Sequence, residues 1–417
     1  ILFNKPIYLF TMNIALITIG NELLAGFTVN TNAAWIGNHV IQTGGNIIWH
    51  QTIGDSKNEI HDSLNQIPKD INAVIITGGL GPTHDDVTAH ALYKYANDIP
   101  VFDEKYWQYL QDKLAKRNLK LPEINRNQSM KPEKGTIIPN PVGSARGLHF
   151  QVDGKDLFVL PGVPREMKTM MESTVLPWIA DQSAGGLTVR TIRTTGIMES
   201  GLAEKIGDIV DALADEIKIA FLPQFTGVDI RVSSTDKDAV DQKVYEINVQ
   251  AGKYIYGYDN DQLEEKVGQL LNANNLSIST AESCTGGLVG HRLTNVSGSS
   301  DYYLGGIVSY SNSVKENNLG VAIETLNKHG AVSYETAIEM AENVRSKLDS
   351  DLGLAITGIA GPRGGTDEKP VGLTYIALAD GKDTMVKEFR FLTERILNKN
   401  ASCQAALNMV RLYLLNE

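Results

Sequence analysis

The sequence predicts an α/β protein built as two doubly wound α/β domains joined by a small α+β module. The first observation is a pair of nearly continuous apolar runs, NIALITI (13–19) and AVIIT (73–77), as expected of parallel strands covered on both faces. The second is that such runs alternate with helix-period segments across short loops, the signature of an open, mostly parallel sheet. The third is a small, polar, glycine-rich stretch, DQSAGGL (181–187), which reads as a linker and is followed by a compact β-α-β-β-α-β order.

A chain of 417 residues accommodates two or three domains, and 42% hydrophobic with 21% charged residues is ordinary for a globular protein. The formal net charge of −11 disfavours a nucleic-acid backbone as partner but leaves phosphorylated small molecules open. Two cysteines far apart, Cys284 and Cys403, make a disulfide framework improbable and point to a reducing cytoplasm. No run approaches the ~18 apolar residues of a membrane span, so no membrane partner is expected. The leading ILFNKPIYLFT lacks the marks of a signal peptide, and Met12 is the expected start.

After the first strand come GNELLAG and a helix over Asn30–Thr43, with Gly44 as its stop. Ser56 with Glu59 forms a capping box for the next helix. The strand at 73–77 runs into GGLGPTHDDVT (78–88). There Gly79 and Gly81 allow close backbone approach to a phosphate, and Asp85 and Asp86 suit a hard divalent cation. Either aspartate could equally cap the helix that follows. His84 could assist, whereas His90 fits a structural place on that helix. Walker and dinucleotide-binding glycine patterns are absent. The loop NPVGSARG (140–147), the hairpin-like LHFQVDGKDLFVLP (148–161) and GVPREM complete the unit.

The middle module predicts helices near 199–213 and 237–251. Between 188 and 258 it carries eight Lys or Arg against eleven Asp or Glu, and it has no GxxG, so a spacer or dimerisation element is preferred over RNA binding.

From Asp261 a second α/β pattern begins. Leu276, Ile278 and Thr280 alternate with polar residues, the period of a half-buried strand, and run into AESCTGG and a helix containing Val289 and Leu293. Two more strand ends finish in unusual sequence, SYSNSVK (309–315) and ITGIAGPRGGT (356–366). Loops at one edge of such a sheet converge on one pocket. Ser283 is then a candidate nucleophile, with Cys284 a rival at a helix start. Since no histidine stands in these loops, Lys315 and Tyr310 are the groups with base character. A lysine must fall from about 10.4 to roughly 7–8 to serve near neutrality. Backbone N–H groups at Gly286 and Gly287 could hold an oxyanion or a phosphate, and Thr357 could donate to a substrate or cap its turn.

Two blocks of motifs resemble one family. GNELLAG with NTN (30–32), GGLGPTHDDVT, NPVGSARG and LPGVPREM resemble the molybdopterin-binding-like domain of the CinA family over about 12–180. The middle region, 188–258, is similar to that family's KH-like domain. TAESCTGG, YSNSVK, TGIAGPRGGT with KPVG, and FLTER resemble the CinA C-terminal domain, a PncC-type nicotinamide-nucleotide deamidase, over 261–417. The resemblance implies that Ser283 attacks the carboxamide of nicotinamide mononucleotide while Lys315 and Tyr310 handle protons. It also implies that Thr357 and Arg395 position substrate. For the first domain it implies metal-dependent ADP-ribose pyrophosphatase activity. Glu22, Asp85, Asp86 and Thr88 would then fall in the phosphate and metal loops, with Gly79, Gly81, Thr83 and Ser144 on the substrate and Asn32, Asp55 and Asn127 near by. A divalent metal is expected there and no cofactor for the amidase. The partners expected are small nucleotides and a second copy of the chain. Two departures stand out: Arg146 where the family has proline, and Asn398 and Asn400 where basic residues are common. A pterin-binding first domain, or a competence- or DNA-damage-associated interaction protein, is the alternative reading.

Overall fold

The computed structural model describes residues 12–83, 86–116, 118–183, 185–391 and 394–416, so the eleven residues before Met12, His84 and Asp85 lie outside it. The chain divides between Thr188 and Val189 into two compact units.

In the first unit the strands are β1 (Met12–Ile19), β2 (Gly45–Ile53), β3 (Ala73–Thr77), the short pair β4 (Pro100–Phe102) and β5 (Met130–Pro132), β6 (Thr136–Ile138), β7 (Gly147–Val152) and β8 (Lys155–Leu160). The main sheet has the order β2-β1-β3-β8-β7-β6. Its first four strands are parallel, and the β7–β8 hairpin adds an antiparallel edge. Alternate residues enter opposite cores, as the pleat requires. Ala15, Ile17, Val74 and Ile76 go to one side, and Ile14, Leu16, Ala73 and Ile75 to the other. The helix Thr31–Gln42 starts on the Asn30 side chain, which accepts from the Ala33 N–H, and ends before Gly44 at φ 94°. Ser56 caps Lys57–Asn65 as expected, but Glu59 reaches the Gly54 N–H and the Ser56 hydroxyl.

The second unit holds two sheets. The strands β9 (Thr188–Thr194), β10 (Lys218–Gln224), β11 (Gly227–Ser234) and β12 (Ile255–Tyr258) order as β10-β11-β9-β12. Helices Glu199–Asp211 and Lys237–Ala251 bury Leu202, Ile206, Val240 and Ile247 in one core with Ile192, Ile230 and Val232. The second sheet contains β13 (Ile278–Glu282), β14 (Tyr303–Val308), β15 (Leu352–Gly358), β16 (Leu373–Ala379) and β17 (Thr384–Arg390) in the order β14-β13-β15-β16-β17. The first three are parallel and the last two antiparallel, which is a common edge for such sheets.

Strand β13 differs from the half-buried strand that its alternation predicts, because all five residues are buried. The polar positions tolerate this by pairing. Ser279 Oγ lies 2.7 Å from Ser350 Oγ, and Thr280 Oγ1 lies 2.8 Å from the Tyr303 hydroxyl.

The middle module and the C-terminal sheet fall in one unit, and Arg411 is one physical reason. Fully buried on the helix Arg395–Leu415, it donates to the carbonyls of Ile255 at 3.0 Å and Lys253 at 2.6 Å. Arg411→Met leaves those carbonyls without these donors. The expected loss is about 2–4 kcal/mol of unfolding free energy, read from the urea midpoint of the second unit's transition.

Candidate active site

The carboxyl ends of β13, β14 and β15 stand side by side, held in register past the strands themselves. The Ser283 N–H donates to Ile356 O at 2.9 Å, and the Ser309 N–H to Glu282 O at 2.8 Å. The three polar loops of the sequence therefore meet, as the topology of a parallel sheet requires.

Ser283 and Lys315 face one another in this place. Lys315 Nζ lies 2.9 Å from Ser283 Oγ, 2.7 Å from Ser309 O and 3.5 Å from Tyr310 O. The local sequence explains the approach. Ser311 caps the short turn Asn312–Val314 by accepting from the Val314 N–H, which starts a helical turn and sets Lys315 back against the sheet. A lysine at a helix start is ordinarily solvated, yet this one is 1% exposed and Ser283 is 7% exposed. Burial lowers the Lys315 amine from 10.5 to about 8. At 2.9 Å the pair works in both directions: the ammonium donates to Oγ, and the neutral amine accepts the serine proton.

Cys284 is no rival in this geometry. Its thiol is buried in the hydrophobic core and, chiefly through that burial, is pushed up to about 12. It remains a thiol near neutrality.

Tyr310 is 59% exposed, and its hydroxyl accepts from Arg395 Nη2 at 2.9 Å. Only its backbone carbonyl comes near the lysine, so the phenol is tied to the arginine instead of the Ser283–Lys315 pair. Arg395 also donates to Gly361 O at 3.0 Å and thus bridges the second and third loops.

The glycine amides are a correction to the sequence-based expectation. The Gly286 N–H donates to Ser283 O at 3.2 Å, and the Gly287 N–H to Glu282 Oε2 at 2.9 Å. Glu282 also accepts from the N–H groups of Val289 and Gly290. This buried carboxylate occupies the start of the helix Leu288–Thr294, where a ligand anion was expected. Gly286 and Gly287, at φ 64° and 93°, serve the shape of the turn. Thr357 is likewise buried, and its hydroxyl donates to Ala331 O at 2.6 Å, tying the end of β15 to the loop before the helix Tyr334–Lys347.

Sequence reasoning missed Glu282 and Lys399. A Cβ added to Gly286 would lie 3.7 Å from Lys399 Nζ. Lys399 is one helical turn beyond Arg395, and that i, i+4 spacing was its only signal. Between them Asn398 donates to Ala360 O, which fastens the helix to the third loop.

In the first unit, a cleft at the ends of β1 and β3 is lined by Thr18, Glu22, Asn32, Thr77 and Gly162, among others. Asn32 donates to Gly162 O at 2.8 Å, while its buried Oδ1 has no hydrogen-bond partner among the described residues. Asp86 is engaged as a turn cap by the Thr83 N–H and hydroxyl, at 2.8 and 2.5 Å. Gly79 has φ 66°, and the Thr88 N–H bonds to its carbonyl. A Cβ on Gly81 would strike the Asp86 carboxylate at 2.5 Å. Asp55 accepts from the Asn21 N–H, and Asn127 donates to Pro82 O. Ser144 presents its carbonyl to the Tyr106 hydroxyl. Arg146 pairs with Asp103 at 2.7 Å, and its guanidinium carbon lies 3.8 Å from the Tyr106 ring centroid. Among the described residues no group of three or more His, Cys, Asp or Glu is placed to hold a metal ion. The Glu22 carboxylate and the Asn32 amide oxygen on one cleft are the hard oxygen donors that suit a divalent cation.

Comparison with known proteins matches the same segments. Residues 260–414 match the CinA C-terminal domain, 15–181 a probable molybdopterin binding domain, and 189–257 the damage-inducible protein CinA KH domain. A CinA-like protein of Salinibacter ruber is 40% identical over 407 residues, covering 96% of this chain and 99% of its own. The chain belongs to the CinA family. A putative competence-damage inducible protein of Halothermothrix orenii is also 40% identical, over 96% of this chain and 98% of its own. Among solved CinA-type structures, the competence/damage inducible protein of Agrobacterium tumefaciens is 39% identical over 37% of this chain and 94% of its own, with a TM-score of 0.36. No helix described here is long and apolar enough to cross a membrane.

The buried lysine has a consequence for stability. Its value in the folded chain is below its unfolded one, so the unfolded chain binds the proton more tightly. Folding is penalised below about pH 8, and the penalty fades toward 10.5. Lys315→Met is therefore expected to stabilise the protein at pH 6–7, on the order of 2 kcal/mol. Thermal melts across pH should show the gain shrinking on the alkaline side.

Proposed function

We propose that the C-terminal site is a serine amidase that deamidates nicotinamide mononucleotide to nicotinate mononucleotide and ammonia. The observation that carries this reading is the buried Ser283–Lys315 pair, with its amine lowered to about 8. A hydroxyl needs an adjacent base to attack an amide, and a desolvated lysine is one of the few groups that serve near neutrality.

The neutral Lys315 amine accepts the proton as Ser283 Oγ bonds to the carboxamide carbon. The resulting ammonium passes that proton to the departing nitrogen, so ammonia leaves and an acyl-serine remains. Water then attacks the ester carbonyl as Lys315 again takes the proton, and the ammonium returns it to Ser283 Oγ as the ester C–O bond breaks, releasing the acid, which gives its own proton to solvent. Ser309 O and Tyr310 O hold Nζ in place through both steps. Arg395 and Lys399 are the cations available for the nucleotide phosphate. Tyr310, held by Arg395, offers the exposed aromatic face against which a pyridine ring packs.

Ser283→Ala should reduce ammonia release from nicotinamide mononucleotide at least about 1000-fold with the fold intact by circular dichroism. Release at the native rate would remove the serine mechanism. Because the neutral amine is the working form, kcat/KM should climb with pH through about 8 and then level. A flat profile between pH 6 and 9 would exclude Lys315 as base.

We further propose that the first unit cleaves ADP-ribose at its pyrophosphate with the help of a divalent cation. The unpartnered Asn32 oxygen beside Glu22 supports this reading. Glu22 and Asn32, with Asp85 and Asp86 from the glycine loop, would hold the ion, whose chemistry is to neutralise phosphate charge. Asp85→Asn combined with Asp86→Asn should abolish the metal-dependent formation of AMP and ribose 5-phosphate, assayed with magnesium, manganese and cobalt. Intact ADP-ribose after incubation of the native protein with each metal would leave this unit a binding module. The proposed setting is cytoplasmic and dimeric, with nucleotides as partners.

A further inference from the structure

Within the second unit, the middle module and the last helix enclose a groove of about 690 Å³, a volume within the range of small-molecule sites. Its floor is apolar. Phe389 and Phe391 stand two apart on one face of the chain leaving β17, with ring planes 6° from parallel and centroids 5.5 Å apart. Phe225 and Met198 approach from the middle module, 40% and 78% exposed.

Two amide groups on the helix side of the groove are set to donate. Gln404 and Asn408 line it from the helix Arg395–Leu415. Gln404 Oε1 accepts from Arg292 Nη1 at 2.9 Å, and Asn408 Oδ1 accepts from Arg411 Nε at 2.9 Å. An arginine can only donate, so both amide oxygens are committed and both NH2 ends are left as donors. Gln404 is more than nine-tenths buried. Lys253 and Lys387 add two exposed cations at the rim, while Arg390 is turned to Glu388. No Asp or Glu is among the described lining residues, in a chain whose net charge is −11.

We infer that this groove is a second ligand site, for an aromatic anion of mononucleotide size. The ring stacks on the Phe389–Phe391 ladder, and its phosphate or carboxylate meets the amide NH2 groups and the two lysines. Two lysines and two amide NH2 groups, with no carboxylate among the described lining residues, favour an anion, and the apolar floor selects a planar ring over a free phosphate. The inference is independent of the amidase reading.

The test is a fluorescence titration of the full chain with 1-anilinonaphthalene-8-sulfonate, an aromatic anion, followed by displacement with AMP. One saturable site per chain that AMP displaces is expected. Lys253→Glu with Lys387→Glu should weaken it about tenfold. Asn408→Asp, which keeps an oxygen for Arg411 but exchanges the donor for an acceptor, should weaken it too. Tyr310→Ala, at the catalytic loops, should leave it unchanged. The proposal is overturned by the absence of saturable binding, or by equal affinity for the uncharged N-phenyl-1-naphthylamine. It is also overturned if the double lysine variant binds like the native chain, or if Tyr310→Ala abolishes binding. Light scattering that shows the groove closed by a second copy, with AMP unable to compete, would overturn it as well.

Discussion

One ammonium group taken out of water governs the C-terminal half of this chain. Burying a lysine beside a serine costs several kcal/mol unless its protons find acceptors or it sheds its charge. Lys315 does some of each. The Ser309 and Tyr310 carbonyls accept from it, and its remaining discomfort appears as a lowered affinity for the proton. Such an arrangement needs a rigid surround. Ile278, Leu354 and Ile356 are packed on one face of the sheet, and Ala281, Ala355 and Ala377 sit under the helix Tyr334–Lys347 on the other. The small side chains on that second face let the helix approach closely, so the strand ends carrying Ser283 and Ser309 have little room to relax.

Much of this was legible from residue order. Apolar runs located β1 and β3, and Ser56 marked a helix start that the structure places one residue later. The meeting of the three polar loops followed from parallel topology alone. What was not legible depended on contacts between distant residues. Alternation in 276–280 predicted an open face, because nothing in the sequence reveals that Ser350 and Tyr303 will satisfy the polar positions. Glycines next to a helix start suggested free amides, because Glu282 looks like any strand-end carboxylate until its side chain folds back on them. Arg146 stood out only as a departure from the family's proline, and only the fold brings Asp103 and Tyr106 to it.

The last helix is the element on which several of these features meet. Its first residue, Arg395, joins the second and third polar loops, while Arg411, sixteen positions on, carries the middle module. At about 1.5 Å per residue, some 24 Å of straight helix separate these two tasks. Arg292 braces the middle of this span through Gln404, and also bonds Glu264 on the helix Leu263–Asn274. The middle module is thus fastened to the same helix that joins the polar loops of the site.

The position next to Ser283 has a redox consequence. Oxidants and alkylating agents attack thiolates, and burial keeps both Cys284 and Cys403 protonated with values near 12. In the proposed mechanism the chemistry runs through a hydroxyl that peroxide leaves untouched, beside a sulfur that peroxide cannot readily reach. An amidase built this way would keep working when the surrounding medium becomes oxidising, a circumstance in which a cysteine-based one would fall silent.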